Sequence, residues 1–178
     1  MSRRSVTIAI AALVAGAATI CAGIGAAGLT FNHSNSLPVG IWRVRQEPVH
    51  RGAVVLVCPD NGPMFQAALR SRYIDPGRCN GGFAPLLKPV AAVPGDRVVV
   101  ADSGVTVNGV PIANSALKPV DGAGRLLPRH QIGAHVVRSG EVWLISDYNP
   151  YSFDSRYFGP IGASRIRGVA RPVRVRAG

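Results

Sequence analysis

Acidic side chains are scarce in this chain of 178 residues: 9 Asp and Glu stand against 20 Lys and Arg, for a net charge of +11. Histidine and cysteine are also few, with four and three copies, and their placement excludes most metal chemistry. Cys58 and Cys79 have no histidine beside them and make half a zinc site at best, while His130 and His135 lack the helical context and intervening glutamate of a metalloprotease. A triad drawn from His33, His50, His130 or His135 has no nucleophile elbow to serve. No metal and no cofactor is expected. Long helical patterns are few, and repeats of about 20–50 residues are not visible. With 21 Gly, 14 Pro and many valines, most of the chain reads as strands and turns, a mainly β fold. The hydrophobic share of 47% is too high for disorder, and the length suits one domain plus one further segment.

That further segment is at the front. From Val6 to Phe31 there is no charge, and the stretch exceeds the roughly 20 residues needed to cross a hydrocarbon core. Arg3 and Arg4 precede it. By the positive-inside rule residues 1–5 stay in the cytoplasm, residues 6–31 form one transmembrane helix, a signal anchor in a bacterial inner membrane, and residues 32–178 lie in the periplasm. A cleaved signal peptide competes with this reading, because Gly25-Ala26-Ala27 would suit processing. The apolar length, beyond the usual core of about 7–15 residues, favours the anchor. The cluster Arg165, Arg167, Arg171, Arg174 and Arg176 would suggest nucleic acid in a cytoplasmic protein. Outside the membrane it reads instead as a face for anionic membrane lipid or as a solvated surface, and no nucleic-acid partner is expected.

In that compartment oxidising conditions favour a bond between Cys58 and Cys79, with Cys21 left as a packing residue of the anchor. Between the pair, Asn61-Gly62-Pro63 offers a cap and a first-turn proline, and Met64, Phe65, Ala68, Leu69 and Arg72 follow at helical spacing, so residues 60–80 read as a short helical insert. Strands are expected at 41–45, 52–57, 97–101, 105–107, 141–146 and 166–175. Asn108-Gly109 between valines is the strongest hairpin signal. Residues 113–135 read as irregular. Asp96, after Pro94-Gly95, reads as a turn residue, and Trp42 and Trp143 as core or interfacial anchors.

One lysine stands out. Lys88 sits inside Pro85-Leu86-Leu87-Lys88-Pro89-Val90-Ala91-Ala92-Val93, where burial would lower its pKa from about 10.4 toward values at which a free amine can act as a base. Snorkelling to solvent is the plain alternative. Two further blocks accompany it: Asn32-His33-Ser34-Asn35-Ser36-Leu37-Pro38-Val39-Gly40-Ile41-Trp42 before it, and Ser146-Asp147-Tyr148-Asn149-Pro150-Tyr151-Ser152-Phe153-Asp154-Ser155-Arg156-Tyr157-Phe158-Gly159 after it.

In this order, behind an amino-terminal anchor, the blocks resemble the signal peptidase superfamily of Ser/Lys proteases. They look closest to the TraF-type conjugal-transfer peptidases, whose serine block runs Ser-x-Pro-x-Gly before an aliphatic and an aromatic residue. The resemblance covers Ser34 to Arg167. It implies a signal-peptidase-like β catalytic domain with Ser36 as nucleophile and Lys88 as general base. It also implies an oxyanion hole from the Ser34 hydroxyl and the Ser36 N–H, a lysine-orienting hydroxyl on Ser152, and a structural ion pair of Asp154 with Arg156. Ordinary signal peptidase I carries methionine after the serine and two residues before the proline, whereas only Leu37 intervenes here. The conjugal-transfer branch implies a pilin-like precursor cut near its carboxyl end, with water or the precursor's own amino terminus resolving the acyl-enzyme. Two rivals remain: a general leader peptidase of the signal peptidase I kind, and a non-catalytic anchored β-domain of a conjugation or secretion apparatus, with Ser36 and Lys88 apart in space.

Overall fold

The structure, a computed structural model, describes residues 28–128 and 132–176. Its strands are β1 (Leu29–Asn32), β2 (Gly40–Arg45), β3 (Val54–Val57), β4 (Leu86–Ala92), β5 (Arg97–Ala101), β6 (Gly104–Val107), β7 (Val110–Pro111), β8 (Gly133–Val136), β9 (Glu141–Leu144), β10 (Ile161–Gly162) and β11 (Ile166–Val175). Two short helices, α1 (Pro63–Arg70) and α2 (Ser155–Phe158), complete the elements that shape the site. One sheet runs β1-β2-β11-β3-β4-β9-β10 and the other β7-β6-β5-β8. The protein is mainly β with few helices, as expected.

Apolar content explains the centre of the larger sheet. β3 reads Val-Val-Leu-Val, and its Val55 and Val57 are wholly buried against Phe65 of α1, Leu144 of β9 and Tyr157 of α2. Such β-branched residues suit a strand flanked on both faces. β3 lies antiparallel to β4, with Val55 opposite Lys88. A second core fills the smaller sheet, where Val98, Val100, Val105 and Val107 meet Trp143 and Ile145. Asn108 and Gly109 both have positive φ, 51° and 82°, which is what a two-residue hairpin turn with the hand of its strands requires.

Several expectations need correcting. The apolar segment was expected to run helically to Phe31, yet Leu29, Thr30 and Phe31 pair with Arg43, Trp42 and Ile41 as β1. β2 offers them an open strand edge, so sheet pairing takes these residues. Residues 6–27 of the expected anchor, with Cys21, lie outside the described residues; among the described residues no helix is long and apolar enough to cross a membrane. The helical insert is shorter than 60–80, because α1 ends at Arg70 and turns follow to Cys79. Residues 113–135 are not wholly irregular: β8 begins at Gly133 and pairs with β5. The Lys88 run contains a full strand, β4, that periodicity concealed because it is apolar on both faces.

Candidate active site

The Ser36 turn connects β1 to β2 and is held by its own first residue. Asn32, buried at the end of β1, donates from Nδ2 to the carbonyls of Ser34, Leu37 and Pro38 at 2.9, 3.1 and 3.2 Å, and its Oδ1 accepts from the Ser34 N–H at 3.2 Å. Pro38 also accepts from the Trp42 indole N–H at 3.2 Å. Gly40 then enters β2 at φ 149°, where a Cβ would collide with the Arg174 carbonyl of β11. The glycine of the Ser-x-Pro-x-Gly block is therefore a packing requirement: the sheet closes against bare backbone there.

Lys88 projects from β4 to the same place. Its Nζ donates to Ser36 Oγ at 2.6 Å and to Ser152 Oγ at 2.8 Å. Ser152 Oγ donates to Ser36 Oγ at 3.2 Å, and so does Ser34 Oγ at 3.2 Å; the Ser36 N–H donates to Ser34 Oγ at 3.3 Å. Lys88 is 4% exposed, Ser36 8% and Ser152 2%. The snorkelling alternative is excluded for Lys88. Burial pushes its ammonium down to about 8; the Asp154 charge opposes that and the Arg156 charge adds to it.

Asp154 and Arg156 are fully buried and paired, with Arg156 Nε and Nη2 donating to the two carboxylate oxygens at 2.8 Å each. The other guanidinium hydrogens reach the carbonyls of Ser146 at 2.9 Å, Asn114 at 2.8 Å and Pro150 at 3.4 Å. Asp154 also caps α2 by accepting from the Arg156 N–H, and it accepts from the Ser146 N–H at 3.1 Å. The pair thus ties α2 and the loop carrying Ser152 to the end of β9. The Cys58–Cys79 disulfide forms, with Cα atoms 5.5 Å apart, and closes the segment that contains α1.

Three positions that sequence reasoning passed over support the serine. Ser146 is wholly buried and its hydroxyl donates to the Ser36 carbonyl at 2.5 Å. Asn149 Nδ2 donates to the Asn35 carbonyl at 3.1 Å. Asn32 holds the turn as described. The available signal was an Asn two residues before Ser34, the spacing of an Asx-turn, and a lone serine ending an apolar strand.

None of the described histidines reaches Ser36. His33 pairs with Asp75 at 2.8 Å on the exposed rim of the cleft, His50 meets the Arg51 carbonyl at 2.9 Å, and His135 lies 5.5 Å from the Trp143 ring. His130 lies outside the described residues. Asp96 accepts from the Val93 N–H as a turn residue should, and binds Asn108 and Arg51 as well. Around Ser36 and Lys88 opens a cleft of about 310 Å³, bordered by Phe31, Leu86, Leu87 and Tyr151.

A buried amine bonded to a serine hydroxyl, with a second hydroxyl and an N–H beside it, is an arrangement in which an uncharged amine can take the hydroxyl's proton. The chain belongs to the signal peptidase family of serine peptidases, described as signal peptidase, peptidase S26, which matches residues 2–174. It is 43% identical to the plasmid transfer protein TraF of Escherichia coli over 175 residues, 97% of this chain and 98% of that protein. It is 41% identical to the conjugal transfer protein TraF of Agrobacterium fabrum over 177 residues, 97% of each. A crystal structure of a signal peptidase I from Enterococcus faecalis aligns at TM-score 0.40 with 19% identity, covering 70% of this chain and 98% of that one.

Proposed function

We propose that this protein is a membrane-anchored serine endopeptidase that processes a pilin-like, membrane-associated precursor for conjugal transfer, using Ser36 as nucleophile and Lys88 as general base. The 2.6 Å bond between a buried amine and the Ser36 hydroxyl carries the reading. The names of the TraF relatives supply the conjugal setting.

The chemistry runs through one proton. Neutral Lys88 takes the Ser36 Oγ hydrogen as that oxygen attacks the scissile carbonyl carbon, while Ser152 steadies the amine. The oxyanion accepts from the Ser36 N–H and the Ser34 hydroxyl, each of which is worth about 100-fold or more in turnover. Protonated Lys88 then delivers its hydrogen to the leaving amine as the C–N bond breaks, leaving an ester on Ser36. A second nucleophile opens the ester and passes its proton to Lys88, which returns it to Ser36 Oγ as the C–O bond breaks. Water yields a linear product, whereas the precursor's own amino terminus, held at high effective concentration, yields a ring.

Residues 6–27 provide the inner-membrane anchor in this reading, and the catalytic domain faces the periplasm, where the Cys58–Cys79 bond is at home. Anionic lipid headgroups are the partner of the exposed arginines on β2 and β11. The decisive experiment is precursor processing in membranes. Ser36→Ala and Lys88→Ala should each reduce it about 1,000-fold or more while the protein stays folded and membrane-bound. A Lys88→Ala variant that matures precursor at the normal rate would end the base assignment. Cleavage of a secretory preprotein in its place would favour the leader-peptidase alternative, and a product one water lighter than the linear peptide would establish the ring.

A further inference from the structure

Beyond the cleft lies a second cavity of about 480 Å³, and the two share a wall: Arg72, Tyr73, Tyr151 and Phe153 line both. Tyr151 and Phe153 flank Ser152, whose hydroxyl accepts the Lys88 hydrogen bond. The cavity therefore adjoins the cleft that holds Ser36 and Lys88.

Its charge is one-sided. Arg70, Arg72, Lys118 and Arg125 line it, and Asp121 is the single carboxylate among its lining residues. Asp121 is already engaged. It accepts from the Tyr73 hydroxyl at 2.7 Å, from the Arg125 guanidinium at 2.7 Å, and from the N–H groups of Ala123 and Arg125 at 2.9 Å each. Arg125 in turn donates to the Ser71 carbonyl at 3.1 Å, pinning this loop to the end of α1. Arg70, Arg72 and Lys118 form no ion pair with a carboxylate among the described residues. Lys118 rests 5.4 Å over the Tyr151 ring.

Arg72 adds an independent observation. It follows the α1 C-cap with φ 61°, a left-handed position that helices ordinarily give to glycine or asparagine. A long cationic side chain occupies this left-handed position at the junction of the two cavities.

We propose that this second cavity is a subsite for a carboxylate of the precursor, carried on polypeptide near the bond that Ser36 attacks; the proposal rests on the peptidase reading above. Guanidinium and ammonium donors with no carboxylate partner among the described residues, set among aromatic rings, suit an anionic group on an otherwise apolar peptide. The carboxylate has two possible sources, an Asp or Glu side chain or the precursor's own terminal carboxyl.

The test uses the full chain in detergent micelles and a random synthetic peptide library made once with free terminal acids and once with terminal amides, with products read by mass spectrometry. The wild type should favour Asp or Glu near the cleaved bond, or the free-acid set over the amide set, by about fivefold or more. The first result assigns the side chain as the source and the second the terminal carboxyl. Either preference should fall below about twofold in an Arg72→Gln/Lys118→Gln variant and weaken in high salt. Equal cleavage of acidic and neutral peptides by the wild type, or a preference that survives in the variant, overturns the subsite and leaves the dyad standing. Absence of any cleavage that Ser36→Ala abolishes overturns the peptidase reading, and the subsite with it.

Discussion

Lys88 weakens the fold it sits in. Burial lowers its ammonium to about 8, against 10.5 for the exposed group. Between those values the unfolded chain holds the extra proton, so folded stability rises with pH across that window and the penalty is complete below it. At about 1.4 kcal/mol per pH unit the penalty reaches about 3 kcal/mol at neutral pH. Lys88→Met should raise the unfolding free energy at pH 7 by about 1–3 kcal/mol in denaturant titrations, and the gain should shrink toward zero near pH 10.5. A variant no more stable than wild type at pH 7 would contradict this. The same proton sets the rate: kcat/KM should climb about tenfold per pH unit up to about 8 and then level off. A break near pH 6.5 would implicate a histidine instead. The four residues around it do not by themselves single out this amine, because Leu87-Lys88-Pro89-Val90 recurs as Leu117-Lys118-Pro119-Val120. One copy lies in β4 with its lysine buried, and the other lies in a loop with its lysine half-buried over Tyr151. The longer apolar run around Lys88 and the serine block before it carried the distinction.

At the level of elements, the loop bearing Ser152 is held by a charge pair with no access to solvent. Removing one member leaves the other uncompensated in the interior, so Arg156→Leu should destabilise the domain by about 3–5 kcal/mol, whereas the double change Asp154→Leu/Arg156→Leu should cost less than the sum of the single changes. Thermal unfolding of the three variants measures this. Additive losses would show that the two side chains act separately. These two residues were legible only through the family resemblance, because nothing local distinguishes a buried Asp-Ser-Arg from a solvated one. The hairpin at Asn108-Gly109 and the valine-rich strands were legible from turn chemistry and β-branching alone. β1 and β8 were not, since each is short and takes its conformation from a partner strand far along the chain.

The whole molecule explains how separated blocks meet. β11 lies between β2 and β3, β3 pairs with β4, and β4 pairs with β9, so the sheet brings the serine, lysine and Ser152 blocks together across more than a hundred residues of chain. Pairing of that range follows from burial over the whole fold, and no window of sequence contains it. The β1–β2–β11 side of this sheet has a second character. Arg43 faces Arg171 and Ile41 faces Arg174, with Phe31 62% exposed nearby. In nanodiscs, turnover should be higher on anionic than on zwitterionic lipid, and Arg43→Glu/Arg174→Glu should erase that difference without changing the rate in detergent. Equal turnover on the two lipids in the wild type would leave this edge solvated. The chain meets its need for cations almost wholly with arginine and contains only two lysines, Lys88 and Lys118. Lysine-selective isotope labelling would therefore yield a side-chain NMR spectrum of two resonances, one from the buried Lys88 nitrogen and one from the Lys118 nitrogen over Tyr151. The moment at which the amine beside Ser36 sheds its hydrogen ion becomes directly visible by spectroscopy, without any substrate in the tube.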